Sequence, residues 1–154
     1  MNLYTFPCML SVFNVMQSCH TPAGAILRIL IADDHPVVRR GVCSILETRK
    51  DLEVCAEAGD GEEAVQKAVE LKPDVVILDV MMPRLDGFGA AMKILENFQV
   101  PILMLSMHDG EEMIRLATSV GAKGFINKTA IVGSLLTAVD IVLAGGTFFR
   151  TVEN

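Results

Sequence analysis

Three short apolar runs constrain this chain more than any other feature: ILRILIA (26–32), DVVILDV (74–80) and PILMLS (101–106). Each is far shorter than the roughly 20 apolar residues a membrane-spanning helix needs. Each is nearly continuous in Ile, Val, Leu or Met rather than alternating with polar residues. Strands of a parallel sheet, covered by helices on both faces, read this way. The runs also carry the mean hydropathy to +0.44 in a chain that is 51% apolar. Asp79 stands at the end of the second run. A lone buried carboxylate is costly, so this one needs partners or a task.

From residue 26 onward, strand and helix patterns alternate five times. The first strand is 27–32. A helix over 36–48 follows, with Val38, Val42, Ile45 and Leu46 on one face. LEVCAEA (52–58) is a second strand with the looser alternation of a sheet edge. Asp60 and Glu63 form a capping-box pattern for a second helix, which Pro73 ends. The third strand is 74–79 and the third helix 87–97. Pro101 opens the fourth strand, where proline is tolerated. The fourth helix covers 110–120 and stops at Gly121. KGFIN (123–127) is the fifth strand, and the fifth helix runs over 130–144 to Gly145-Gly146. Alternating units of this kind imply a parallel sheet with right-handed crossovers. Five of them fit an α/β, flavodoxin-like, doubly wound (βα)5 sheet of order 2-1-3-4-5. Ligands then bind beyond the carboxyl ends of strands 1 and 3.

A length of 154 residues suits one domain. The first 27 residues carry no Asp, Glu, Lys or Arg, which is the sharpest compositional break in the chain. Residues 1–25 are expected to be a poorly ordered extension, or the product of a start codon read too early, with Met9 and Met16 as other starts. A secretory leader fits less well, because there is no basic segment and Asn14 and Gln17 interrupt the apolar run. The packed domain is expected over 26–150, with 151–154 as a tail. The net charge of −6 disfavours nucleic acid as a partner of this domain. Cys8, Cys19, Cys43 and Cys55 show no zinc-binding spacing, so they read as reduced thiols of a cytoplasmic protein.

Polar residues cluster at the predicted strand ends. Asp33 and Asp34 follow strand 1, and Asp79 ends strand 3, 46 residues after Asp33. Ser106 ends strand 4, 27 residues later, and Lys128 follows strand 5 after 22 more. Each interval is one strand–helix period, or two across strand 2, so all should meet at one end of the sheet. Like charges about 4 Å apart cost about 4 kcal/mol at an effective dielectric near 20. A hard divalent cation with oxygen ligands relieves this, and magnesium suits it best. Three aspartates, one divalent cation and Lys128 make a neutral site. Such a site accepts a phosphoryl group, with a carboxylate as in-line nucleophile. Asp79, the most central, is the candidate nucleophile.

ILIADDHPVVRRGV, VVILDVMMPRLDG, ILMLSMHD and GAKGFINK together resemble the receiver (CheY-like) domain of two-component response regulators, over residues 27–148. The resemblance is strongest to the NarL/FixJ subfamily. It implies that Asp79 accepts a phosphoryl group from the phosphohistidine of a sensor kinase or phosphotransfer protein. It implies that Asp34, with Asp33, Asp79 and the Met81 backbone carbonyl, ligates Mg²⁺, or Mn²⁺ in its place. Lys128 and Ser106 would bind the phosphate. Phe125 would be the aromatic switch that turns inward when Ser106 moves, biasing a face made by helix 4, strand 5 and helix 5. Met81 and His108 would line the pocket and tune water access. Three departures stand out: Thr129 where proline is common, Phe125 for the usual tyrosine, and Ser106 for threonine. None is expected to abolish phosphorylation.

Blander readings compete at single positions. Asp33 or Asp34 alone is a helix cap, Lys128 alone a solvated lysine, and Phe125 alone a core residue; the convergence argues otherwise. His35 and His108 read as surface or rim residues. Arg39 and Arg40 read as a solvated helix face, with contact to the kinase as the alternative. Helix 5 is apolar at 131, 132, 135, 136, 139, 142 and 143, wider than one core-facing stripe, so it offers either scattered exposure or a homodimer or partner surface. Relatives of the subfamily usually add a DNA-binding helix-turn-helix. Only 26 residues follow Lys128, so the chain reads as a stand-alone receiver or a truncated transcription regulator. An aspartyl-phosphate phosphatase of the haloacid dehalogenase type needs a DxD pair, and a flavin module needs a Ser/Thr-Gly phosphate loop. DDHPVVRR supplies neither.

Overall fold

In the computed structural model the described residues are 23–150, so Cys8, Cys19 and the expected leader up to residue 22 lie outside them, as does the 151–154 tail. The element order is β1 (Leu27–Ala32), α1 (Pro36–Leu46), β2 (Leu52–Ala58), α2 (Gly61–Leu71), β3 (Val75–Asp79), α3 (Gly87–Asn97), β4 (Ile102–Ser106), α4 (Glu111–Ser119), β5 (Gly124–Asn127), α5 (Ile131–Leu143) and β6 (Phe148–Phe149). A single 3-10 turn, Lys128–Ala130, joins β5 to α5. All pairings are parallel and the sheet order is β2-β1-β3-β4-β5-β6. This is the doubly wound, flavodoxin-like sheet expected, extended by one strand. The addition, β6, is two residues long and pairs Phe148 and Phe149 with Gly124 and Phe125. It covers the edge that β5 would otherwise expose.

The sheet divides two apolar layers because side chains alternate along each strand. Ile29, Ile31, Ile77, Leu103, Leu105 and Ile126 face α1 and α5. Leu30, Ala32, Val76, Leu78, Met104 and Phe125 face α2, α3 and α4. β3 and β4 are buried at every position, which is why their sequences lack polar alternation. In α5, Ile131, Leu135, Ala138, Val139 and Val142 form the buried stripe, while Val132 is 86% exposed. α4 buries only Ala117, so it is the helix most lightly held.

Helix ends follow local chemistry. Asp60 accepts from the Glu63 amide at 2.9 Å, and the Glu63 carboxylate accepts from Gly59 N at 2.8 Å, one residue before the donor a capping box would use. Asp86 caps α3 through Gly89 N at 2.7 Å. α5 ends where Gly145 takes a positive φ of 87° and Gly146 N donates to Ile141 O. Cys43 and Cys55 are free thiols; burial, with Glu57 and Glu47 adding to it, pushes Cys43 up to about 11.

Gly41 sits in the exposed middle of α1 with no atom within 4 Å of where a Cβ would be. Gly41→Ala is therefore expected to stabilise the domain by about 0.5–1 kcal/mol, by removing backbone freedom from the unfolded chain. Thermal unfolding followed by circular dichroism should rise by about 2–4 °C.

Candidate functional site

Parallel register brings the carboxyl ends of four strands to one edge. Ala32 lies beside Leu78, Asp79 beside Leu105, and Ser106 beside Asn127. The residues at or just after those ends therefore converge. Asp33, Asp34, His35 and Asp79 each place a ligand atom within 4.8 Å of the others. Lys128 Nζ lies 2.7 Å from Asp33 Oδ2 and 3.1 Å from Asp79 Oδ2, and all three side chains are nearly inaccessible.

Asp33 is held on several sides. Its amide donates to Ala58 O at 3.1 Å, and its Oδ1 accepts from His35 N at 2.8 Å. Asp34 is the accessible member of the pair, one-third exposed, with His35 Nδ1 2.9 Å from its Oδ1. Asp79 Oδ1 accepts a long hydrogen bond from Met81 N at 3.4 Å. Ser106 is fully buried and its Oγ accepts from His108 N at 3.0 Å, which leaves the hydroxyl proton free to donate elsewhere. Met81 is 67% exposed and His108 is exposed, so both stand at the rim. Phe125 lies apart from the acidic cluster. Its ring is fully buried in the α2–α4 layer, paired in register with Met104. After Lys128 the chain stays trans, among peptide bonds with no cis member in the described residues. Thr129 N and Oγ1 both donate to Asn127 Oδ1, at 2.9 and 2.7 Å.

The charges do not balance. Burial raises the Asp79 carboxyl above its usual range and nearby Asp33 raises it further, against the opposing pull of Lys128. Burial lowers the Lys128 ammonium, but its bonds to Asp33 and Asp79 outweigh that and hold it above its usual value. One cation thus serves two buried carboxylates. Lys128 meets them at angles that leave both Asp33 Oδ2 and Asp79 Oδ2 without a well-directed hydrogen bond. Buried oxygens of this kind call for another positive centre. A donor set made mostly of carboxylate oxygens, one carboxylate facing solvent and the His35 imidazole beside it, fits a hard divalent cation that keeps part of its water.

His35 stands at the rim, its side chain 67% exposed, with its Nδ1 3.4 Å from Asp33 Oδ1 and 2.9 Å from Asp34 Oδ1. One contact at this site escaped the sequence reading. Arg39, read as solvated, has a side chain only 19% exposed, and its Nη1 donates to Asp33 O at 2.6 Å. The one available signal was its position a helical turn after His35, which lets the side chain fold back onto the end of β1.

Comparison with known proteins agrees with this geometry. The response regulator receiver domain family matches residues 29–140. The oxygen regulatory protein NreC of Staphylococcus haemolyticus is 48% identical over 124 residues, 79% of this chain and 57% of that protein. NreC of Staphylococcus aureus is 45% identical over the same length. A LuxR-family two-component response regulator from Aurantimonas superposes with a TM-score of 0.77 at 34% identity, covering 80% of this chain and 89% of that one. The isolated receiver domain of RcsB from Salmonella enterica serovar Typhimurium, solved with the phosphomimetic BeF3⁻, gives 0.74 at 25% identity over 81% and 94%. The molecule is a receiver domain, a signal-transduction module. The chain belongs to the response regulator receiver family, on its NarL/FixJ (LuxR-type) branch, and spans 57% of the length of the NreC relatives it matches.

Proposed function

We propose that residues 26–150 act as a phosphorylation-controlled switch with Asp79 as phosphoryl acceptor. The observation that carries this is the single lysine shared by two buried carboxylates whose second oxygens lack directed hydrogen bonds. A bound Mg²⁺, or Mn²⁺, would neutralise the surplus charge and stabilise the equatorial phosphoryl oxygens. Asp33, Asp34, Asp79 and the Met81 carbonyl would hold it. A carboxylate oxygen of Asp79 attacks phosphorus in line while the bond to the donor's histidine nitrogen breaks, and that electron pair stays with the imidazole. Lys128 remains charged and meets the transferred phosphoryl oxygens. The Ser106 hydroxyl, unused as a donor, hydrogen-bonds one of them. Met81 and His108 at the rim set how readily water reaches the acyl phosphate.

The donor is a sensor histidine kinase or phosphotransfer protein, and the site serves the domain's own phosphorylation rather than turnover of other substrates. Output runs through the face of α4, β5 and α5, with Phe125 as its buried switch. This is supported by the light anchoring of α4 and by exposed Met107 and Leu116, 62% and 43% accessible. Exposed Val132 on α5 suits a homodimer or partner contact. The acidic charge turns nucleic acid away from this domain, whatever the longer relatives do. A cytoplasmic location fits its free thiols and a described chain with no helix long and apolar enough to cross a membrane.

Intact mass spectrometry after incubation with acetyl phosphate and MgCl2 tests the reading. Wild type should gain one phosphoryl group, about 80 Da, labile to hydroxylamine. Asp79→Asn should gain none. An unmodified, folded wild type challenged also with phosphorylated kinases, or a modified Asp79→Asn, would overturn the assignment.

A further inference from the structure

Asp33 and Asp34 pose a geometric problem. Successive residues of an extended chain aim their side chains to opposite faces. Here both deliver a carboxylate oxygen to one cluster, though Asp33 is 1% exposed and Asp34 33%. The orientation of the peptide that joins them decides where both can point. Arg39 fixes that peptide. Its Nη1 donates to the Asp33 carbonyl at 2.6 Å, and its own amide donates to His35 O at 3.1 Å. Its Nε is held by Glu57 Oε2 on the edge strand, also at 3.1 Å. Glu57 is braced in turn, since Lys67 Nζ bonds its carbonyl at 2.5 Å and Glu63 Oε1 at 2.6 Å. The guanidinium fork therefore clamps the turn between two fixed points, a geometry a single ammonium does not reproduce. Glu57 also offsets the guanidinium charge, which would otherwise repel a cation in the acidic cluster.

We propose that Arg39 is a positioning residue for divalent-cation binding, holding the Asp33–Asp34 peptide so that both carboxylates face one ion. This rests on the reading of Asp33, Asp34 and Asp79 as cation ligands. Partners that orient metal ligands change affinity by about 10–100-fold when removed.

The test is calorimetric titration of MgCl2 into the full chain as wild type, Arg39→Met, Arg39→Lys and Glu57→Gln, with hydrogen exchange at the His35 amide in the metal-free proteins. Arg39→Met should weaken Mg²⁺ binding about 10-fold or more and speed His35 exchange. Arg39→Lys should recover part of both. Glu57→Gln keeps the bond to Asp33 O and should cost less than about fivefold, as a partly exposed pair does. Mg²⁺ binding by folded Arg39→Met that equals or exceeds wild type overturns the proposal. So does a Glu57→Gln loss as large as that of Arg39→Met, or unchanged His35 exchange. Should Arg39→Met fail to fold, Arg39→Lys decides by the same readouts, and wild-type behaviour there overturns it. A wild type that binds no Mg²⁺ refutes the ligand assignment instead, and His35 exchange in the metal-free variants still decides whether Arg39 holds the turn.

Discussion

Lys128→Met is expected to lower the stability of the metal-free protein by about 3–5 kcal/mol at neutral pH, the cost of removing one partner from a buried ion pair. The side chain is only 7% exposed and touches two carboxylates that are 1% and 3% exposed. Methionine nearly preserves the volume, so packing contributes little and the loss is electrostatic. The pH profile identifies the cause. Asp79 is raised in the folded state, so its contribution is present below its unfolded value of 3.8 and is lost as pH rises through the folded value. Without Lys128 that folded value moves further up. Lys128 is raised above 10.5, so its contribution is present below that value and is lost as pH rises through its folded value. The gap between wild type and variant should therefore be widest between these two ranges. It should narrow as pH falls through the folded Asp79 value, and again at the alkaline end. Chemical denaturation across pH, with and without MgCl2, reads this directly. Added Mg²⁺ should restore part of the loss if the proposed ligands hold it, since it would supply charge beside the same two carboxylates. A gap that is flat with pH would assign the lysine to packing alone.

How much of this arrangement was legible beforehand depended on how local its cause is. β3 and β4 are buried on both sides, and burial on both sides leaves an uninterrupted apolar run that length alone marks as strand. α3 matched the expected range of 87–97 because Asp86 caps it and its apolar face is periodic. β6 had no such signal. Two phenylalanines show no period, and they become a strand only because β5 offers an unpaired edge and Phe148 fills the α1–α5 layer. The Lys128–Ala130 turn likewise depends on Asn127 folding back onto Thr129. In the site, Asp33, Asp34, Asp79 and Lys128 were readable because each stands at the end of a strand, and whole strand–helix periods separate those ends. Arg39 was not, because its partners are a carbonyl at the end of β1 and a glutamate on β2, and only the register joins them. Phe125 remained ambiguous between core and switch for a physical reason: a ring turned fully inward serves both descriptions.

Gly87→Ala is expected to strike stability and the proposed phosphoryl acceptance together, although it adds only one uncharged methyl group. A Cβ at Gly87 would lie 2.2 Å from the Asp79 carbonyl oxygen and 2.9 Å from Asp79 C and Val80 Cα. All three are backbone atoms at the end of a central strand, so no side chain can rotate to make room. Gly87 N also donates to Val80 O at 2.9 Å, which ties the start of α3 to the segment it would have to leave. Overpacking of this kind costs about 1–3 kcal/mol and sometimes more, and backbone clashes belong at the upper end. For a domain of this size the unfolding temperature should fall by about 5–12 °C. The displaced carbonyl belongs to Asp79 itself, the proposed acceptor. A shift of about 1 Å in a reacting group can cost about 100-fold in rate, so modification by acetyl phosphate should slow far more than the loss of folded fraction explains. Gly41→Ala supplies the contrast: the same methyl, placed where nothing lies within 4 Å, should raise the unfolding temperature and leave the acetyl phosphate reaction unchanged. If both glycines tolerate alanine alike, the close approach of α3 to Asp79 does not constrain the proposed acceptor, and the packing at the end of β3 is looser than these distances require.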